Sequence, residues 1–146
     1  MRTITNRQKD SAGQSLVEFA LSLMLILIIL VGAVEVSLAL FEYVTMRDAA
    51  QEGALYGSIN PADTNGIKKR VIAAASDVLT LTDSNITVTI NGLQCEGLTA
   101  GTPNSIKVTV SRQHQIIMPI AGSFLGGQQI NMSASVTDTI LSPACH

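Results

Sequence analysis

At 146 residues, with 47% hydrophobic, 14% charged and 3% aromatic residues, the chain has room for one small domain plus an anchoring segment. Its apolar excess is not that of an ordinary soluble domain, and a net charge of −2 argues against the broad basic surface that binds nucleic acid.

The first 13 residues are basic, with Arg2, Arg7 and Lys9 opposed by Asp10 alone. From residue 16 to residue 34 the only ionisable group is Glu18. At 1.5 Å per residue such a helix covers about 28 Å, close to the hydrocarbon thickness of a bilayer. The charge bias places the N-terminus in the cytoplasm and exports the remainder of the chain. A secretory signal peptide is the competing reading, against which stand the length of the apolar run, the acid at its beginning and the lack of a small-x-small site after it. A carboxylate at mid-membrane costs roughly 2.5–3.5 kcal/mol, so Glu18 either serves a function or is a helix-end acid that snorkels to the interface of an ordinary anchor. Glu35 directly succeeds Val34 and marks the expected outer edge of the hydrocarbon.

The helical pattern then continues without proline to Tyr56, and Asn60-Pro61 ends it. Residues 14–56 as one helix would reach about 65 Å, half of it beyond the membrane. Ala49, Gly53 and Gly57 recur every four residues and form a smooth groove for close backbone packing, either against the protein's own sheet or against another subunit.

A second helix is predicted over residues 63–79, with Ile67, Val71, Ala74, Ala75, Val78 and Leu79 at helical spacing and Asp63 or Thr64 as its cap. Lys68, Lys69 and Arg70 lie mainly on its other side and read as a solvated face. From residue 85 the period becomes two, over residues 85–91, 105–117 and 129–141, all rich in Thr, Val and Ile. The expected fold class is α+β, a long N-terminal helix leading into an exported head with a second helix on a three-stranded antiparallel sheet.

Little in this chain suggests catalysis or a cofactor. Cys95 and Cys145 could form a disulfide in an exported domain, closing a loop worth roughly 4 kcal/mol in the chain-entropy model. With His114 and His146 they lack zinc-type spacing, so no metal is expected. His114, between two glutamines in a strand, reads as an exposed or merely hydrogen-bonded imidazole. Asn85-Ile86-Thr87 and Asn131-Met132-Ser133 match the glycosylation tripeptide but sit in strand patterns and receive no role. No nucleophile motif or phosphate loop is present, so no enzyme activity and no small-molecule substrate are expected.

Gly13 is followed by Gln14, Ser15, Leu16, Val17, Glu18 and Phe19, a glycine with glutamate at the fifth position beyond it and an aromatic at the sixth. This is the arrangement of a type IV prepilin, and residues 13–58 together resemble the TadE-like family of tight-adherence pilus proteins, with a weaker likeness running into the strands. The resemblance implies a leader, residues 1–13, removed after Gly13 by a prepilin peptidase to leave Gln14 as the mature N-terminus. It implies that Glu18 meets the N-terminal amine of a neighbouring subunit during assembly, with Phe19 beside it. Residues 14–36 would then be the transmembrane and assembly helix, residues 37–58 its outer half and residues 59–146 the exported head.

The function implied is that of a non-enzymatic minor pilin of a tight-adherence (Flp) pilus, or a part of its assembly machinery, acting in surface adhesion. Its partners would be inner-membrane lipid, other pilin-like subunits and the assembly machinery. The alternative is a single-pass anchored binding domain in the cytoplasmic membrane that does not polymerise.

Overall fold

The computed structural model describes residues 8–91, 104–118 and 127–141. It contains helix α1 (Gln8–Ile59), helix α2 (Thr64–Ala75), a 3-10 turn (Asp83–Asn85) and strands β1 (Ile86–Asn91), β2 (Ser105–Gln115) and β3 (Gln129–Thr139). The strands form one antiparallel sheet in the order β1-β2-β3, so the fold is α+β. The chain divides into two compact units, Met1–Ser37 and Leu38–His146.

In the first unit, every residue from 13 to 31 is exposed. Helix α1 is long and apolar enough there to cross a membrane. A helix satisfies its backbone groups within itself, which makes it one of the few structures that can stand in lipid without partners. The hydroxyl of Ser37 is turned back into the helix in the same way, donating to the Ala33 carbonyl at 2.7 Å. The helix begins at Gln8, six residues before the expected start, and passes through Gly13 unbroken.

The second unit is built on the rest of α1. Met46, Ala49, Ala50 and Ala54 of α1, Ile67, Val71 and Ala75 of α2, and Ile106, Val108 and Val110 of β2 are all fully buried. Burial of each large aliphatic side chain contributes about 1.5–3 kcal/mol. The register is regular: Val88 faces Val108, which faces Val136, and Ile86 faces Val110, which faces Ala134. Period-two alternation puts these apolar side chains on the face toward the helices and Thr87, Thr109 and Ser135 on the other.

Helix α2 starts as its sequence requires, with the Asp63 side chain capping it by accepting from the Gly66 amide. It ends at Ala75, four residues short of the expected Leu79. The amides of Val78 and Leu79 both donate to the Ala75 carbonyl, at 3.0 and 2.8 Å, which tightens the final turn. Leu79 drops into the core at 2% exposure while Val78 turns outward at 44%; Ala74 is also exposed. Strand β1 starts one residue later than expected because Asn85 closes the 3-10 turn and donates to the Ser111 carbonyl. Strands β2 and β3 each end two residues earlier than the alternation suggested.

Two glycines of α1 lie in close contact with the core side chains of this unit. A Cβ on Gly53 would collide with Cγ2 of Val71 and lie 3.4 Å from Cγ1 of Val108; one on Gly57 would collide with Cδ1 of Ile106 and lie 3.0 Å from Cδ1 of Ile67. Val71 is β-branched, fully buried and stiff at χ1, so it cannot swing aside. Replacing Gly53 by Val is expected to lower stability by about 1–3 kcal/mol through overpacking. Thermal unfolding of the detergent-solubilised chain, followed by far-ultraviolet circular dichroism, reads this directly.

Candidate functional site

The residues singled out in the sequence fall into two sets that the structure treats differently. Gly13, Gln14, Glu18 and Phe19 all lie on α1 within the first unit and all are exposed, Phe19 at 64%. There is open space around the Cα of Gly13. The neighbouring apolar side chains are equally uncovered, Leu16 at 69% and Leu25 at 62%. A helix apolar on every side and buried nowhere fits only a non-aqueous surrounding, whether lipid or other helices.

Ala49, Gly53 and Gly57, by contrast, are buried in the second unit. Their groove is filled by this chain's own Ile67 and Val71 of α2 and Ile106 and Val108 of β2, so α2 shares a place that the sequence reading gave to the sheet or to another subunit. Cys95 and Cys145 lie outside the described residues. Among the described residues, no group of three His, Cys, Asp or Glu side chains could hold a metal ion.

Of the two settings expected for His114, exposed or merely partnered, the structure shows the partnered one: the imidazole is 5% exposed, with Nδ1 3.1 Å from Oε2 of Glu42 on α1. Arg112 reaches the same oxygen at 3.8 Å through Nη1. Two periodicities held the signal for this cluster. His114 has the parity of Ile106, Val108 and Val110 on β2, and Glu42 lies one helical turn before buried Met46.

A second polar cluster joins α1 to α2. The Tyr56 hydroxyl donates to Oδ2 of Asp63 at 2.9 Å, while the Gly66 amide donates to Oδ1 at 2.9 Å. The Arg70 guanidinium stands 5.3 Å from the centre of the Tyr56 ring, a cation–π distance. The amide of Gly66, then the Tyr56 hydroxyl, hold the Asp63 carboxyl below the usual carboxylate value. The same bond to Asp63, with partial desolvation, raises the Tyr56 phenol above its ordinary value. This cluster lies on the exposed turn between the two helices.

With this geometry in view, the comparison with known proteins is specific. Residues 13–55 match the family model described as TadE-like protein. No curated protein and no solved structure gives a match to the chain. The TadE-like match covers α1 from Gly13 almost to its end and takes in Glu18, Phe19, Ala49 and Gly53. It stops before Gly57 and before the strands, so the weaker likeness seen there in the sequence lies outside it.

The turn cluster gives a pH dependence with a fixed sign. Asp63 has a lowered pKa when folded, so its contribution is present above the ordinary carboxylate value and is lost as pH falls through the folded one. Tyr56 has a raised pKa, so its contribution is present below 10.0 and is lost as pH rises through the folded value. In a Tyr43→Phe background, the phenolate absorbance of Tyr56 should appear only above the ordinary tyrosine range. Adding Asp63→Ala should return that titration toward the ordinary value.

Proposed function

We propose that this chain is a non-enzymatic, pilin-like subunit of a tight-adherence pilus or of its assembly machinery, held in the cytoplasmic membrane by one helix before assembly. The observation that carries the reading is the TadE-like match over residues 13–55, which coincides with a helix whose apolar surface is uncovered from residue 13 to residue 31. Lipid covers that surface in the unassembled protein, and neighbouring helices cover it in the assembly. The basic residues Arg2, Arg7 and Lys9 favour a cytoplasmic N-terminus, which puts the second unit on the outer side.

Removal of a leader after Gly13 gives Glu18 its task. In the uncut chain α1 begins at Gln8, so Glu18 lies almost three turns into the helix, beyond the reach of the N-terminal dipole. After cleavage it becomes the fifth residue of a helix that starts with a free ammonium group at Gln14. A carboxylate on the second turn can then meet the ammonium of a neighbouring subunit, and in lipid such a pair attracts far more strongly than in water. One proteolytic step thus turns a costly membrane charge into an assembly contact. The length of the exported part favours a minor subunit over the main filament component, by resemblance to a family of much shorter major pilins.

The test is the N-terminal sequence and intact mass of the membrane-extracted protein from hosts with and without prepilin peptidase. A Gln14 start that depends on the peptidase is expected, and replacing Gly13 by a bulky residue should abolish it. A Met1 start in both hosts would instead make the chain a plain anchored binding domain. Glu18→Ala should leave membrane insertion intact and reduce piliation, as counted by electron microscopy of surface filaments. Normal piliation in that variant would remove the amine-pairing role.

A further inference from the structure

The alternation of polar and apolar residues along β2 fails at one end. Its outer-face residues Thr109, Ser111, Gln113 and Gln115 are polar, and so are Ser135, Ser133, Asn131 and Gln129 opposite them on β3. The Ile116 amide donates to the Gln128 carbonyl at 2.8 Å, so the pairing continues one residue past the strand ends in the same register. Ile116 falls on the helix-facing side and is 6% exposed; Ile117 falls on the outer side, where a polar residue is due, and is 73% exposed. Ile130, on the helix-facing side of β3, is exposed at the same end, and Met118 is half-buried. From residue 115 to residue 137 the chain has no ionisable side chain. This end of the sheet is therefore apolar on both faces, whereas the rest is apolar on one. Apolar groups presented in this way mark contact with something other than water.

The direction of β2 identifies the partner. Gly57 of α1 packs on Ile106, Gly53 lies beside Val108 and Glu42 faces His114, so β2 runs antiparallel to α1, toward the residues by which the chain enters this unit. Glu42 comes seven residues after Glu35, about 10 Å along a helix, and Ile117 comes three residues after His114, about 10 Å along an extended chain. The two lengths match, and Glu35 is the expected outer edge of the hydrocarbon. Phe41 and Tyr43, on either side of Glu42, are exposed as well, and tyrosine is enriched where a membrane meets water. We infer that the β2–β3 end of the sheet docks through Ile117 into the outer boundary of the lipid bilayer that holds α1, giving the second unit a membrane contact of its own. The inference rests on the reading of α1 as a membrane helix. A single helix leaves the unit above it free to swing; an apolar tip held at the acyl-chain boundary adds a second point of attachment and restricts that motion before assembly.

The chain contains no tryptophan, so a single introduced indole reports its own surroundings. The full chain carrying Ile117→Trp, Gln113→Trp or Leu25→Trp is reconstituted into phosphatidylcholine vesicles with and without bromine on the acyl chains. Gln113 is exposed on the same face of β2, about 13 Å back along the strand, and Leu25 lies in the apolar run of α1. Brominated lipid is expected to quench the Ile117→Trp fluorescence on the order of twofold, as a depth of about 5–10 Å in the headgroup and acyl boundary allows. It should quench Leu25→Trp at least as strongly and leave Gln113→Trp unchanged, whereas aqueous iodide should quench Gln113→Trp far more than Ile117→Trp. An Ile117→Trp indole open to iodide and untouched by brominated lipid would overturn the inference, and quenching of Leu25→Trp in the same lipid would leave the membrane helix standing. Loss of quenching at Leu25→Trp as well would overturn both. Shielding of Ile117→Trp from iodide and brominated lipid alike would mean that a second copy of the chain covers the residue, and would overturn the assignment to lipid.

Discussion

The second unit depends on how closely the backbone of α1 can approach α2 and β2. At Gly53 and Gly57 there is no room for even one methyl group, because Val71, Ile67, Ile106 and Val108 already occupy the space. Close packing at interior density is what allows a sheet of three strands and a helix of 12 residues to form a core at all. Intrinsic propensity opposes this choice, since each glycine in a helix interior is about 1 kcal/mol worse than alanine. Tertiary packing outweighs that loss, and the helix runs on through both positions to Ile59.

The same helix meets two kinds of surroundings along its length. From residue 19 to residue 31 its side chains are apolar but for Ser22, and uncovered; from Met46 onward one side is dry core and the other carries Arg47, Asp48, Gln51 and Glu52. The change stems from composition rather than from any break in the backbone. A helix apolar all round asks for lipid or for other helices, whereas an amphipathic one asks for a sheet on one side and water on the other. The TadE-like match spans this transition.

Polar groups are used where apolar packing cannot fix an angle. Asp63 gathers the Gly66 amide and the Tyr56 hydroxyl at the turn between the helices, and Tyr56 in turn stacks under Arg70. At the far end of the sheet, Glu42 faces His114 and Arg112 across the contact between α1 and β2. Removing one partner of such a buried group costs about 1–3 kcal/mol, more than the intact contact contributes, so the cluster acts mainly against wrong alignments. On α1 the two clusters lie at Glu42 and Tyr56, with the Gly53 contact between them.

The sequence by itself determined the two helices, the three strands and most of their buried faces, because periods of 3.6 and 2 are local properties of the chain. It also contained the Gly13-to-Phe19 pattern, whose meaning is chemical and needs no fold. Element ends were less legible: α2 stops at Ala75 because two amides converge on one carbonyl, a geometry that hydrophobic spacing does not encode. Only the tertiary structure decided which neighbour fills the groove at Gly53 and Gly57. Only it brought Glu42 to His114, because that contact joins residues 72 positions apart whose meeting depends on how helix and sheet are set against each other. A repeating pattern tells which side of an element avoids water; which other side it meets is a property of the assembled core.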